Sequence, residues 1–429
     1  METHITGSQR ADAIEIRLGL FFDGTGNNQH NTTVSHGKGA SYDNALSNVA
    51  LLHDLYAQQP EDDGQRVVLK HYVQGIGTQA GEADDIYASA TGRGRTGIEA
   101  RVEQALADIA ALLRDWQQGH RLTRIERISV DLFGFSRGAA AARHMANVLR
   151  NEPARLFTHC PIVIHFIGLF DTVAAIVAPL QGDFDPADTR QGGLQLGLPE
   201  GIANHVVQLV AGDEQRHNFP LIGSGHDIVL PGVHSNIGGG YQDVADEDVL
   251  LCKPQSQRVA AEVPAQQAGV YTAVAALMAT AFKDLGQPPA HVVSWEQPVP
   301  GGEPREPQKQ VYAAIGRKRQ VAGQLSRVYL SIMREYAARA GVPFAPLGCD
   351  RQHAVPEELR GISDKLHAYA LGACPSLELT EPEQTLLRER YIHTSAHWNA
   401  VKGMRSSSLD VLFIDRPGVA GRVVHPNPV

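Results

Sequence analysis

The fold is indicated most clearly by residues 127–144, Arg-Ile-Ser-Val-Asp-Leu-Phe-Gly-Phe-Ser-Arg-Gly-Ala-Ala-Ala-Ala-Arg-His. Its apolar run from Ile128 to Phe133 predicts a buried strand, and the alanine-rich end predicts a helix. Between them Gly134-Phe135-Ser136-Arg137-Gly138 forms a G-x-S-x-G motif, which in a strand–turn–helix context exposes a nucleophilic serine. A chance match would be an ordinary loop, but both flanking segments fit. We therefore predict Ser136 as a nucleophile, between two glycines whose β-carbons would collide with a neighbouring strand or helix.

Strand-like and helix-like segments alternate on both sides of this motif. The other strand-like segments, each ending in a distinctive turn, are Ala13 to Phe22, Val67 to Val73, Ile162 to Leu169 and Asp227 to Pro231. The helical stretches are Ala40 to Tyr56, Gly97 to Gln117 and Gly138 to Arg150. This alternation predicts an α/β fold of the α/β-hydrolase type, with a mostly parallel central sheet flanked by helices. The turns after the strands are expected to meet at one edge of that sheet, where such folds bind ligands.

The pattern divides the chain into three parts. Residues 1–243 are expected to form the catalytic core, 244–380 a mainly helical insertion or cap, and 381–429 a C-terminal segment that returns to the core. Helices in the insertion are predicted from Ala268 to Leu285, Gln320 to Ala340 and Pro356 to Leu371, and a short hairpin from 410–414 and 421–424. The insertion is expected to form a lid and a substrate groove, with an apolar face exposed beside Ser136.

Composition excludes several classes of function. Lys plus Arg number 38 against 47 Asp plus Glu, a formal net charge of −9, and no basic run points to nucleic acid. The four cysteines form no C-x-x-C, so no metal, redox motif or cofactor is expected. Residues 1–12 are polar and predict no secretory signal peptide. The apolar run from Pro161 to Leu180 contains Asp171, which a membrane helix would have to bury at its centre.

A serine nucleophile needs a base, and the base needs an orienting carboxylate. In folds with this motif the chain order is serine, acid, histidine, which favours Asp171 and His234. Asp171 follows the strand-like run 162–169, although an aspartate there also suits a turn-capping role. His234 lies in a glycine-flanked turn after another strand. His393 and His397 near the C-terminus are the alternative bases, or residues that line the pocket.

The tetrahedral intermediate of acyl transfer requires backbone N–H donors. One is expected from Arg137, the residue after the nucleophile. The other is expected from Gly24 or Thr25, in the Asp-Gly-Thr-Gly turn that follows the first strand. An ordinary Asp-Gly turn with no catalytic role is the alternative for that segment.

Four motifs together resemble a known family. They are Phe22-Asp23-Gly24-Thr25-Gly26-Asn27, Gly134-Phe135-Ser136-Arg137-Gly138-Ala139, Leu169-Phe170-Asp171-Thr172-Val173 and Pro231-Gly232-Val233-His234-Ser235-Asn236-Ile237-Gly238-Gly239-Gly240-Tyr241. In this order they resemble the catalytic domain of the type VI secretion phospholipase effectors, family one. The resemblance implies an antibacterial toxin that hydrolyses phospholipid acyl esters at a membrane surface with Ser136, Asp171 and His234.

The resemblance also implies a cellular context. Such effectors are made in the bacterial cytoplasm without a signal peptide, are secreted into target cells by the type VI system, and associate with a spike protein and a cognate immunity protein. Two alternatives stay open from the residues alone. One is a hydrolase of small soluble esters or thioesters, and the other is a non-catalytic binding protein on the same fold.

Overall fold

A computed structural model describes residues 13–34, 37–59, 66–158, 160–174, 193–283, 285–299, 307–400, 406–407 and 410–428. The strands are β1 (Ala13–Phe22), β2 (Arg66–Val73), β3 (Arg124–Phe135), β4 (Ile162–Phe170), β5 (His205–Ala211), β6 (Leu221–Ile222), β7 (Asp227–Leu230), β8 (Val244–Leu250), β9 (Gln255–Ala260), β10 (His291–Pro298), β11 (Gln308–Ala322) and β12 (Val424–His425). The helices are α1 (Ala40–Asp43), α2 (Asn48–Leu55), α3 (Ile86–Thr91), α4 (Ile98–Gly119), α5 (Arg137–Asn151), α6 (His234–Gly238), α7 (Gly269–Ala281), α8 (Leu325–Arg339), α9 (Arg360–Ala370) and α10 (Glu381–Leu386). Residues 1–12, and the end of the apolar run beyond residue 174, lie outside the described residues.

The central sheet has six parallel strands in the order β2-β1-β3-β4-β5-β7. The chain runs from β1 to β2 on one side and then to β3 on the other, so the strand order reverses between β1 and β3. Ligands bind at such a switch point, beyond the carboxyl ends of the strands. The predicted α/β architecture is therefore confirmed, and the five predicted strands are β1, β2, β3, β4 and β7. The sequence analysis missed β5, which lies between β4 and β7.

Helices cover both faces of this sheet. The alanine-rich α5 and the amphipathic α4 share one apolar core with alternate residues of β1, among them Ile16 and Leu18. Small side chains on α5, such as Ala140, let the helix approach the strands closely. The opposite face carries α2 and α8, which share one apolar core with Phe21 and Phe133, and α9 packs on α8. This two-sided burial explains why the central strands read as continuous apolar runs.

The predicted helix from Ala40 to Tyr56 is two helices in the structure. A break separates α1 from α2, and Ser47 caps α2 by accepting a hydrogen bond from the Ala50 N–H. Serine favours such N-cap positions because its hydroxyl satisfies a free N–H of the first turn. The helical region was therefore predicted at the correct position, but it is interrupted rather than continuous.

Residues 244–380 contain a sheet that the sequence analysis did not predict. Strands β8, β9 and β10 pair antiparallel with the long β11, and α7 packs on this sheet to form a separate apolar core. The segment is therefore not mainly helical, and only α7, α8 and α9 correspond to predicted helices. Strand β9 is polar and largely exposed, so it lacks the apolar alternation by which strands are recognised.

The C-terminal segment packs against the core. Strand β12 pairs parallel with β6, and Phe413 and Tyr391 are buried. The short hairpin predicted from 410–414 and 421–424 is wrong, because β12 pairs with β6 rather than with residues 410–412, which form a single helical turn.

Two further features concern the described residues alone. All four cysteines are free thiols. No helix in these ranges combines the length and apolar character needed to cross a membrane.

Candidate functional site

Ser136 occupies the turn between β3 and α5, as the motif predicts. Its backbone has φ 58° and ψ −127°, a conformation that residues other than glycine rarely adopt. The Ser136 N–H donates to the carbonyl of Phe170 at the end of β4, at 3.0 Å. A non-glycine residue held in such a conformation marks stored strain that the surrounding structure maintains, and such strain clusters at active sites.

The two glycines of the motif are required by close packing. A β-carbon on Gly134 would lie 2.6 Å from the Cα of Ala139 on α5. One on Gly138 would lie 2.3 Å from the carbonyl oxygens of Phe22 and Asp23 at the end of β1. The expectation that both positions exclude a β-carbon is thereby confirmed.

We expect Gly138→Ala to lower the free energy of unfolding by about 1–3 kcal/mol, because backbone atoms rather than a flexible side chain block the new methyl group. Gly361→Ala is the matched control, since a β-carbon there meets nothing within 4 Å and α9 gains helix propensity. Urea unfolding of both variants measures the difference. Equal stability of the two variants would contradict the packing argument.

Asp171 and His234 form a buried pair. His234 Nδ1 lies 2.5 Å from Asp171 Oδ2, although the two residues are 63 positions apart. Asp171 follows β4 with φ 47°, and its Oδ1 accepts the N–H of Ala211 at 3.0 Å. His234 begins α6 after β7. The two residues predicted as acid and base from their order in the chain are thus in contact, and this contact orients the imidazole.

Arg422 completes this pair and was missed by the sequence analysis. Its Nη1 and Nη2 donate to the two carboxylate oxygens of Asp171, each at 2.7 Å. Its Nε donates to the Phe219 carbonyl at 2.7 Å. No local motif marks Arg422 among the basic residues of the chain. Only the return of the C-terminal segment, through pairing of β12 with β6, brings it to the site.

The electrostatics favour an ionised acid beside a neutral base. Burial alone raises the pKa of Asp171, but the charge of Arg422 and the contact with His234 outweigh it, so the pKa lies well below its usual range. Burial lowers the pKa of His234, and the opposing effect of Asp171 does not fully offset it. An ionised acid and a neutral imidazole are the states that general-base activation of a serine requires.

This pKa shift predicts the acid limb of the pH profile. General-base action requires neutral His234, so kcat/KM for a soluble p-nitrophenyl ester should rise with pH through the pKa of the free enzyme. Because that pKa is lowered from 6.5, we expect the midpoint of the limb below pH 6.5. A soluble ester keeps interfacial binding out of the measurement. A midpoint above pH 7 would contradict the burial argument.

A second ion pair holds the backbone of His234. Glu214 Oε2 accepts the His234 N–H at 3.1 Å, and Arg216 donates to both oxygens of the same carboxylate at 2.8 and 2.9 Å. Burial raises the pKa of Glu214, but the charge of Arg216 outweighs it and lowers the pKa to about 2. The loop after β5 therefore orients the base from its backbone side while Asp171 orients its ring.

Ser136 and His234 line one cavity of about 580 Å³ at the carboxyl edge of the central sheet. The remaining lining residues are Thr25, Asn27, Asn44, Ile86, Ser89, Ala90, Phe135, Arg137, Val173, Arg216, Asn218, Phe219, Ser235, Gly240, Tyr241, Ile414 and Arg416. Ile86 on α3 is 82% exposed and Ile414 is 51% exposed, so apolar surface does flank the serine, as predicted. None of the described residues of 244–380 lines the cavity, so the lid and groove predicted for that segment are wrong.

Of the three predicted oxyanion donors, Arg137 and Thr25 line this cavity and Gly24 does not. Arg137 begins α5, where first-turn N–H groups have no acceptor within the helix. The Gly24 N–H already donates to Asp23 Oδ1 at 2.7 Å. Thr25 lines the cavity and its hydroxyl has no hydrogen-bond partner. The geometry therefore favours Thr25 over Gly24 as the second donor.

The two C-terminal histidines lie outside the cavity. His393 is buried behind Tyr241, with ring centroids 3.5 Å apart, and burial lowers its pKa to about 4. His397 lies 3.6 Å from Asp415. Neither lines the pocket that holds Ser136, so the alternative roles as base or pocket residue are not supported by their positions. No group of three or more His, Cys, Asp or Glu in the described part of the chain is placed to hold a metal ion.

The sheet and the residues at its carboxyl edge together identify the class of fold. A parallel sheet whose serine turn leads into a helix, with an acid–histidine pair at the same edge, is the arrangement of the α/β-hydrolase fold. Residues 17–152 match the family model described as the catalytic domain of the Tle1-like phospholipase effectors of the type VI secretion system. The resemblance predicted from the motifs is therefore confirmed over this part of the chain, and the match supports a phospholipase-effector role.

The chain is also similar to solved structures, of which the first supports this resemblance. The Tle1 effector bound to the VgrG spike is 27% identical, with a TM-score of 0.76, over 96% of this chain and 94% of that one. An uncharacterised protein from Pseudomonas aeruginosa is 21% identical, with a TM-score of 0.43, over 88% of this chain and 52% of that one. No curated protein matches the chain.

Proposed function

We propose that this protein is a serine esterase that hydrolyses acyl ester bonds of membrane phospholipids, as a phospholipase A. The observation that carries the proposal is the strained turn of Ser136 in one cavity with His234, whose Nδ1 lies 2.5 Å from Asp171. The family match supports a phospholipase role but does not specify the chemistry. We infer the serine mechanism and the ester class from the residues of the site.

The proposed reaction has two halves. His234 Nε2 removes the Ser136 Oγ proton as Oγ attacks the ester carbonyl, and the N–H groups of Arg137 and Thr25 stabilise the oxyanion. The tetrahedral intermediate collapses, the imidazolium protonates the leaving alcohol, and an acyl-serine remains. Water, deprotonated by the same imidazole, then attacks the acyl group. The bond from the acyl carbon to Ser136 Oγ breaks as the imidazolium returns the proton to Oγ, and a fatty acid is released. Asp171 keeps the imidazole in the tautomer that presents Nε2 as the base.

The walls of the cavity support a lipid substrate. Phe135, Val173 and Phe219 give it an apolar interior, and the rim carries the exposed Ile86 and Ile414. Exposed apolar side chains beside a catalytic cavity suit contact with acyl chains or a lipid surface. A hydrolase of small soluble esters would not need such a rim.

A test of the proposal is fatty-acid release from mixed phospholipid vesicles by the purified protein beside Ser136→Ala. Release that is lost in the variant supports a serine phospholipase, and acyl chains that differ between the two glycerol positions identify the bond cleaved. Cleavage of short p-nitrophenyl esters without release from vesicles would replace the proposal with the small-ester hydrolase. Inactivity on both substrates, with no labelling of Ser136 by a fluorophosphonate probe, would favour the non-catalytic binding protein.

We also propose a cellular setting by analogy with the structural relative. That Tle1 effector is bound to a VgrG spike. For this chain we propose association with a spike protein, delivery by the type VI system into target cells, and neutralisation by a cognate immunity protein in the producing cell. Co-purification of Ser136→Ala with the VgrG of the same genome tests the first step. Migration of the two proteins as separate species would reject it.

We further propose that residues 1–243 and 381–429 form one catalytic unit with 244–380 inserted between them. The contact of Arg422 with Asp171 and the pairing of β12 with β6 support this division. The insertion has two parts, because α8 and α9 belong to a core of the central sheet whereas α7 packs on the antiparallel sheet.

A further inference from the structure

The cavity around Ser136 has an unusual charge composition. Three arginines line it, Arg137, Arg216 and Arg416, and no Asp or Glu is among the described residues that do so. The whole chain, by contrast, has a net charge of −9. Local positive charge in a cavity attracts an anion, whatever the sign of the net charge of the whole protein.

One of the three charges is already offset. Arg216 donates to Glu214 at 2.8 Å and to Asp415 at 3.2 Å, and its guanidinium lies 3.4 Å from the centre of the Phe219 ring. Arg216 therefore serves to hold Glu214 and the cavity wall. The excess charge comes from the other two arginines.

Arg137 has no carboxylate partner in the described ranges. Its Nη1 is buried without a hydrogen-bond partner, and so is the hydroxyl oxygen of Thr25 in the same cavity. Burial lowers the pKa of Arg137 to about 10, which leaves the guanidinium charged at neutral pH. A half-buried cation with a buried, unpaired N–H group is costly, and an anionic ligand that accepts the missing hydrogen bonds removes this cost.

Arg416 is the second free charge. Within the described ranges its side chain makes one long contact, from Nη1 to the carbonyl of Phe413 at 3.5 Å, and no carboxylate there pairs with it. It lies beside Ile414 in the segment that forms the rim of the cavity. The cavity is thus lined by one guanidinium from Arg137, the residue that follows Ser136, and by one from Arg416 on the C-terminal segment.

We propose that Arg137 and Arg416 bind the phosphodiester of a glycerophospholipid while its acyl ester lies at Ser136. The inference rests on the proposed function and adds the recognition of the phosphate to it. Guanidinium groups bind phosphate oxygens through paired, charge-assisted hydrogen bonds. The two arginines therefore distinguish a phospholipid from a neutral glyceride that carries the same acyl chains.

The test compares two substrates that differ only in the phosphate headgroup. Dioctanoylphosphatidylcholine and dioctanoylglycerol are presented in the same detergent micelles to the wild type, Arg416→Gln and Arg137→Gln. We expect the ratio of kcat/KM for the phospholipid to kcat/KM for the diglyceride to fall about 10- to 100-fold in each variant. The control is Arg258→Gln, which removes the same charge from the exposed strand β9 and should leave the ratio unchanged.

Equal losses on both substrates would overturn the inference. Both lipids release a fatty acid. Equal losses of kcat/KM would therefore mean that the arginines bind the carboxylate of this product or stabilise the fold. Thermal unfolding separates these, because a damaged fold also lowers the melting temperature. An unchanged ratio combined with competitive inhibition by inorganic phosphate would mean a site for free phosphate and would also overturn it.

The proposed function fails in a different way. If the wild type cleaves neither lipid, or if Ser136→Ala retains the activity, the serine phospholipase itself is rejected. If release depends on Ser136 but the ratio does not depend on the arginines, only the phosphate site is rejected. Binding of dioctanoylphosphatidylcholine to Ser136→Ala by calorimetry, with and without Arg416→Gln, gives a readout that does not require turnover. Weaker binding in the double variant is expected.

Discussion

Ser136→Gly is expected to lower kcat by about 10⁵- to 10⁶-fold and to raise the free energy of unfolding by about 1 kcal/mol. The loss of activity follows from removal of the nucleophile. The gain in stability follows from the backbone, because φ 58° with ψ −127° strains any residue that carries a β-carbon. Glycine relieves this strain, although its greater freedom in the unfolded chain offsets part of the gain.

Ser136→Ala is the matched control for the backbone effect. Alanine also removes the nucleophile but keeps the β-carbon, so it should lose the same activity without the gain in stability. Single-turnover assays on a p-nitrophenyl ester and urea unfolding of both variants provide the two measurements. If glycine and alanine proved equally stable, the turn would not store strain. If either variant kept burst-phase acylation, Ser136 would not be the nucleophile.

Asp171→Asn should lower kcat by about 10⁴-fold, because an amide stabilises neither the required tautomer nor the imidazolium of His234. It should also destabilise the fold by about 3–5 kcal/mol, since Arg422 would lose the carboxylate that accepts two of its hydrogen bonds. The Arg422 side chain is only 7% exposed, so water cannot readily replace that partner.

A double variant separates the two effects of Asp171. Asp171→Asn with Arg422→Met removes both members of the buried ion pair, and it should recover much of the lost stability without recovering activity. Thermal unfolding and kcat measured on the same samples give the comparison. Recovery of activity in the double variant would show that Arg422, and not the imidazole, limits the single variant.

The sequence analysis located the central features of the site because each depends on local signals. Ser136 lies in a motif whose glycines, preceding strand and following helix are contiguous. Asp171 and His234 each follow an apolar strand, and parallel strands place their carboxyl ends at one edge. The contact between the two side chains confirms that they are neighbours, while their catalytic roles stay predictions.

The mistaken predictions fall where local signals are weak. Strand β9 is polar and exposed, so its pairing with β11 left no apolar pattern to detect. The rim of the cavity was assigned to 244–380, but Ile86 and Ile414 from other segments form it. No sequence pattern distinguishes these two isoleucines from the others in the chain. Only the tertiary fold leaves their side chains exposed beside Ser136.

Local patterns along the chain were enough to predict the strand–turn–helix at Ser136, the parallel sheet and the chain order of acid and base, because backbone sterics and apolar periodicity act over a few residues. The tertiary structure alone decided which charges meet. Arg422 reaches Asp171 across 251 positions, whereas Arg137 and Arg416 find no carboxylate among the described residues. Electrostatic energy depends on distance and burial in space, and neither can be read from positions along a chain.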